Sequence, residues 1–187
     1  MSSASTVSPD TLTGDYTFDV HHSRIGFVAR HAMVAKVRGS FTDFEGTAHL
    51  DFSDPGASTV RLVIKATSID TGTPDRDAHL RSNDFLAMDE YPEITFVSTA
   101  VESTGGVLSR VTGDLTIRGV SKPVTIECEY TGTADDPFGN TRVGFEGSAT
   151  IDRRDFGVTW NAALGTGGVL ISEKITLEID VSLIKAS

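Results

Sequence analysis

The chain has 187 residues, a formal net charge of -10, and 39% hydrophobic against 22% charged residues, the balance of one ordinary globular domain and not of a disordered or membrane-embedded chain. The acidic excess works against nonspecific nucleic-acid binding, which needs a basic surface, and no basic cluster suited to anionic lipid headgroups is evident along the sequence. No apolar run approaches the roughly 18 residues of a membrane-spanning helix, and a single cysteine, Cys128, excludes an internal disulfide.

Residues 1–13 are rich in Ser and Thr and lack the basic and apolar regions of a secretory signal. They are expected to be a flexible arm ahead of a β domain spanning 14–187, in a cytoplasmic protein. From Tyr16 onward most segments alternate apolar and polar residues, the period-2 signature of strands with one covered face. His21-His22 falls in the connection between the first two strands, and His31 ends an apolar-periodic strand. Between Val37 and Phe52 the pattern changes parity: Val37 and Phe41 are odd-numbered, whereas Phe44, Ala48, Leu50 and Phe52 are even. A bulge near Thr42 or Asp43 accounts for the change and bends one long strand. Val60, Leu62 and Ile64 then alternate with Arg61 and Lys65.

Thr73 to Asn83 breaks the alternation. A Thr N-cap, Pro74 at the first helical position and the early Asp75 and Asp77 predict a short helix, whose spacing puts Arg76, His79 and Asn83 on one side. Asp84 to Pro92 reads as an extended connection to a strand over residues 94–101. Val124, Ile126 and Cys128 alternate with Thr125, Glu127 and Glu129, so Cys128 reads as a small buried hydrophobe, not a reactive thiol. The run from Phe138 to Asp155 is too long for a flat strand, with Val143, Phe145 and Ala149 on its apolar side. The last strand is the clearest, with Ile175, Leu177, Ile179, Val181 and Leu183 on one face. Turn signals at Asp54-Pro55-Gly56, Gly105-Gly106, Asp136-Pro137 with Gly139-Asn140, and Gly165 to Gly168 separate the segments. The count is about eight strands, giving an all-β antiparallel barrel with a short helix beside it. A membrane-spanning barrel would need aromatic girdles, and one Trp and three Tyr do not supply them.

Four blocks in order carry a resemblance to a known family: Asp19-Val20-His21-His22-Ser23 with Phe27 and His31; Val37 through Gly46; Arg76 through Phe85 followed by Tyr91-Pro92; and Gly113 through Val120 ahead of Pro123. Arg154-Asp155-Phe156-Gly157-Val158 adds a fifth. Across Tyr16 to Lys185 the chain resembles the YceI-like, polyisoprenoid-binding family. The resemblance implies a lipocalin-like eight-stranded barrel whose tunnel takes a polyprenyl phosphate, the tail of a quinone or a similar amphiphile. Tunnel residues are then expected among Phe27, Phe41, Phe44, Ile64, Phe96, Phe145, Trp160 and Leu177. A polar mouth is expected at His31, Arg76, His79 and Asn83. A homodimer fits the same resemblance.

Alternation alone does not separate a hollow barrel from a filled one, so each tunnel candidate is equally readable as packed core. His79 and Asn83 are equally readable as residues that pin the helix to the sheet, and Arg76 as the partner of a nearby carboxylate. Competing functions are a packed interaction module, marked by an exposed apolar patch, and a metal-dependent enzyme using His21, His22, His31, His49 and His79. No zinc-ligand spacing, nucleophile elbow, phosphate loop or dinucleotide fingerprint accompanies these histidines. The expectation is therefore a binding protein without metal or cofactor.

Overall fold

The computed structural model describes residues 9–103, 108–165 and 170–186. Helix α1 (Pro9–Leu12) leads into strands β1 (Gly14–Phe18), β2 (Arg24–His31), β3 (Ala35–Phe41), β4 (Phe44–Leu50), β5 (Thr59–Lys65) and β6 (Ile69–Asp70). Helix α2 (Pro74–Arg81) follows, then β7 (Glu93–Ser103), β8 (Leu108–Ile117), β9 (Val120–Asp135), β10 (Thr141–Asp152) and β11 (Lys174–Lys185).

These eleven segments are eight long strands, three of them interrupted. β1 and β2 form one, since β1 pairs with β4 and the end of β11 while β2 pairs with β3 and the middle of β11. Their break is the 3-10 turn Val20–His22, where the Asp19 carboxylate accepts from His21 N at 3.1 Å and contacts His22 Nδ1 at 2.6 Å. β3 and β4 form a second, bent at Thr42-Asp43 where the parity changes; β5 and β6 form a third, paired with β4 and β3 respectively. Every long strand is antiparallel to its neighbour in sequence, and the last pairs with the first, so the eight long strands close into a barrel. Two further register shifts, between Ser98 and Ala100 and between Gly144 and Phe145, curve the long hairpins.

The alternation becomes an inside and an outside. Ile126 is buried while Thr125 and Glu127 on either side are exposed, so the apolar face is interior, opposite to a lipid-embedded barrel. Large rings cover glycines on the next strand. A Cβ at Gly39 would lie 2.4 Å from the Phe27 ring, and one at Gly113 2.5 Å from the Phe96 ring. Glycine at these two sites lets bulky rings lie flat against the wall.

Three local expectations need correction. The described part of the supposed arm is not loose: Leu12 is buried, Tyr16 Oη donates to the Leu12 carbonyl at 2.5 Å, and Lys185 Nζ donates to the Thr11 carbonyl at 2.6 Å. Residues 1–8 lie outside the described residues, as do the turn signals at Gly105-Gly106 and Gly167-Gly168. The connection after α2 is not extended. It folds into turns, with Leu86 N donating to Leu80 O at 3.0 Å and Tyr91 N to Ala87 O at 2.9 Å, because the chain must cover the barrel end before entering β7. Finally, α2 stops at Arg81 with Ser82 as its C-cap, so Asn83 lies beyond the helix and cannot share the side of Arg76 and His79.

Candidate functional site

The inward side chains do not fill the barrel. They surround a cavity of about 830 Å³, toward the upper end of small-molecule sites. Along β11 the wall is Ile175, Leu177, Ile179, Val181 and Leu183. Five alternate positions span eight residue steps; at ~3.4 Å per step and a strand tilt near 40°, the cavity runs roughly 20 Å along the axis. It is a tunnel more than a pouch.

Seven of the eight expected tunnel residues line it: Phe27, Phe41, Ile64, Phe96, Phe145, Trp160 and Leu177. Phe44 does not. It follows the bend at Thr42-Asp43, is buried, and is absent from the cavity wall. Cys128 also faces the cavity, and burial, with a smaller contribution from the Glu127 charge, pushes its thiol up to about 11. It is protonated near neutrality and is no nucleophile there.

The end of the barrel covered by α2 carries the polar groups. Pro74 starts the helix, and buried Asp77 anchors it by accepting from Thr71 N at 2.9 Å and Thr71 Oγ1 at 2.5 Å. Arg76 then lies against the cavity, its Nε donating to Thr71 Oγ1 at 2.7 Å and its Nη2 to Thr71 O at 2.9 Å. Among the described residues it makes no ion pair, so the expected carboxylate partner is replaced by a hydroxyl and a carbonyl. One helical turn on, His79 contacts Asp84 Oδ2 through Nε2 at 2.8 Å. Its ring sits edge-on to Trp160, with centroids 4.7 Å apart, and to Phe85 at 4.9 Å. His79 therefore fastens helix to wall and also borders the tunnel. His31, at the end of β2, lines the cavity at the same end. Asn83 is exposed and is not part of the wall.

Arg153 completes this end and was not anticipated. It is 6% exposed, lines the cavity, and donates from Nε to Ser172 O and from Nη1 to Val158 O and Trp160 O, each at 2.9 Å. Burial pushes its pKa down from the ordinary arginine range. No carboxylate lies within ion-pair distance of it among the described residues. Carrying the β10 alternation past Ile151 by one step puts position 153 inside, and that was the available signal. Its neighbour Arg154 points outward and pairs with Asp152 Oδ2 at 2.7 Å and Glu173 Oε2 at 3.1 Å.

The site thus offers an apolar bore with cations and aromatic rings at one end. Among the described residues no three His, Cys, Asp or Glu side chains converge as metal ligands, and no helix is long and apolar enough to cross a membrane. The arrangement suits an amphiphile whose tail lies in the bore and whose head stays at the rim.

Comparison with known proteins gives a consistent result. The YceI-like domain family matches residues 16–183. Protein YceI of Escherichia coli O157:H7 is 42% identical over 149 residues, covering 79% of this chain and 78% of that protein. A UPF0312 protein of Pseudomonas syringae pv. syringae is 40% identical over the same shares. Among solved structures, the Campylobacter jejuni YceI protein aligns with a TM-score of 0.74 at 29% identity, over 84% of this chain and 90% of that one. A polyisoprenoid binding domain from Saccharophagus degradans, implicated in plant cell wall breakdown, shares the fold with a TM-score of 0.69 at 16% identity, over 91% of this chain and 98% of that one.

Proposed function

Since this chain belongs to the YceI-like domain family, we propose that it binds a long-chain isoprenoid lipid, such as a polyprenyl phosphate or the tail of a quinone, for storage or transport and not for catalysis. The observation that carries the reading is the continuous apolar cavity of about 830 Å³ along the barrel axis. The Saccharophagus domain of the same fold, described as polyisoprenoid binding, supports the choice of ligand class. The tail lies against Phe27, Phe96, Phe145 and Leu177, and the polar head meets Arg76, His79 and His31 at the opening. Burying about 500 Å² of tail at ~25 cal/mol per Å² contributes about 12 kcal/mol. Subtracting about 4 kcal/mol, the smallest cost of lost motion, makes micromolar affinity the ceiling for the tail without any headgroup contact. The head therefore orients and selects, while the tail holds.

Trp160 is the only tryptophan and lies on the tunnel wall, so it reports occupancy directly. Titrating delipidated protein with a polyprenyl phosphate should shift Trp160 emission and saturate near one equivalent. Ligand uptake followed by equilibrium dialysis should weaken in Trp160→Ala. No spectral change, together with no uptake of polyprenyl phosphate, quinone or fatty acid, would remove the proposal.

A further inference from the structure

The hairpin joining β2 to β3 gathers positive charge that the linear sequence disperses. Successive residues of a strand point to opposite faces, and Phe27, Ala29, His31 and Val37 face the tunnel. Lys36 and Arg38 therefore project outward, and Arg30, on the same face of the sheet and exposed, also touches the cavity at its edge. Arg30 is paired directly opposite Lys36, and Arg38 opposite Val28. Like charges placed across from one another in an antiparallel pair repel. Among the described residues none of the three makes an ion pair or a side-chain hydrogen bond; the nearby acids are engaged elsewhere, Glu178 with Arg24, and Asp152 and Glu173 with Arg154. Asp70, across from Ser40 on the same sheet, accepts from Gly72 N. An unneutralised cationic face on a chain of net charge -10 is a local exception to the protein's field.

The tip of that hairpin is apolar and held in an uncommon conformation. Ala32 and Met33 take φ of 51° and 69°, the left-handed region that favours glycine. Ala32 N donates to Leu170 O at 2.7 Å and Val34 N to His31 O at 3.2 Å, fixing the turn. The result leaves Met33 58% and Val34 79% exposed, next to His31 on the cavity wall. At the opposite end of the barrel another apolar side chain, Phe138, is 88% exposed. It lies beside Asp135 and Asp136, which an anionic surface would repel. The charge beside the two exposed apolar turns therefore differs in sign: Arg30, Lys36 and Arg38 flank Met33 and Val34, whereas Asp135 and Asp136 flank Phe138.

We infer that the β2–β3 hairpin is a docking element for an anionic lipid surface, with Arg30, Lys36 and Arg38 meeting headgroups and Met33 and Val34 entering the interface, so that the tunnel opens toward the bilayer. The sequence shows no basic cluster, yet strand pairing puts three dispersed cations on one face. Docking stands on these observations alone; only its purpose, passing an amphiphile between membrane and tunnel, rests on the proposed lipid-binding function.

The test is flotation of the full delipidated chain with vesicles of phosphatidylcholine alone and with about one-third phosphatidylglycerol. The chain should float only with the anionic vesicles and lose binding as salt is raised, because screening shortens the reach of the charges. Each cation near an anionic surface contributes about 1 kcal/mol, so Lys36→Gln with Arg38→Gln should weaken vesicle binding roughly 30-fold. Met33→Ser with Val34→Ser should weaken it on anionic vesicles as well. In both double variants Trp160 should still report uptake of a polyprenyl phosphate from detergent, so a failed tunnel and a failed docking face give different results. Equal flotation with neutral vesicles, undiminished binding by the Lys36 and Arg38 variant, or retention by nucleic acid or an acidic protein with no vesicle binding would each overturn the inference.

Discussion

Cys128 gives a sharp test of the tunnel, because it is the only thiol in the chain and faces the cavity. Its thiol is pushed up to about 11, first by burial and then by the Glu127 charge. At pH 7 such a thiol is thiolate in roughly one molecule in 10⁴, against about 3% for an ordinary thiol near 8.5. That difference is ~300-fold. A more basic thiolate is also the better nucleophile, and a Brønsted slope near 0.45 returns about tenfold. Exchange with an aromatic disulfide reagent should therefore run about 30-fold slower than with a small free thiol at pH 7. The rate should climb about tenfold per pH unit past 9, where an ordinary thiol has levelled off. Loading the tunnel with a polyprenyl phosphate should slow it further by covering the sulfur. Stopped-flow absorbance of the released thiol reads all three effects. A rate matching a free thiol, a plateau by pH 9, or identical rates with and without ligand would refute the placement of Cys128 on a ligand-accessible wall.

Other outcomes follow from the same geometry. Ala29→Trp fills the bore near its opening and should reduce uptake of a polyprenyl phosphate more than tenfold while the circular dichroism spectrum stays that of the barrel; undiminished uptake would contradict a single bore. Arg76→Ala should weaken phosphate-bearing ligands by roughly 10- to 100-fold, the range of one charge-assisted hydrogen bond, and neutral quinones by much less; equal losses would make Arg76 a fastener of the helix alone. Arg153→Leu leaves the carbonyls of Val158, Trp160 and Ser172 without their donors and should lower stability by about 3 kcal/mol in urea unfolding; a loss under about 1 kcal/mol would show that water replaces the guanidinium freely. Asp136 accepts from the Asn140 backbone N–H and from Arg142, and with the Phe138 N–H these hold its carboxyl down to about 2, against an ordinary 3.8. A depressed native pKa favours folding above the unfolded value, and that stabilisation disappears as pH falls through the native one. The stability gap between wild type and Asp136→Asn should thus be constant above about pH 5 and shrink from pH 4 to pH 2; a gap independent of pH would contradict the ion pair.

Much of the barrel was legible because its cause is periodic. The last strand alternates without a fault from Ile175 to Leu183, and its five apolar residues all face the cavity. The parity change at Thr42-Asp43 marked the bend, since a one-residue shift in a period-2 pattern has few other causes. The shifts near Thr99 and Thr131 left no such mark, because threonines and small residues there satisfy either face. Hollowness was not legible: Phe44 and Phe41 follow the same rule of patterning, yet one packs and the other lines the bore. Helical spacing favoured Asn83 until Ser82 ended the helix, a matter of capping that the polar run from Arg81 to Asp84 does not disclose. Arg153 escaped notice because two adjacent arginines read as surface; only continuation of the strand pattern past Ile151 separates the inward one from the outward one. The cationic hairpin face was hidden for a related reason, since Arg30, Lys36 and Arg38 meet only after β2 folds back on β3.

The central claim is a bore that holds a lipid, and native mass spectrometry of the protein as purified, without detergent exchange, tests it most directly. The account predicts a population heavier than the chain mass by one prenyl-type lipid, recovered by solvent extraction and restored when polyprenyl phosphate is added to stripped protein. A spectrum showing only the bare chain before and after that addition would contradict it.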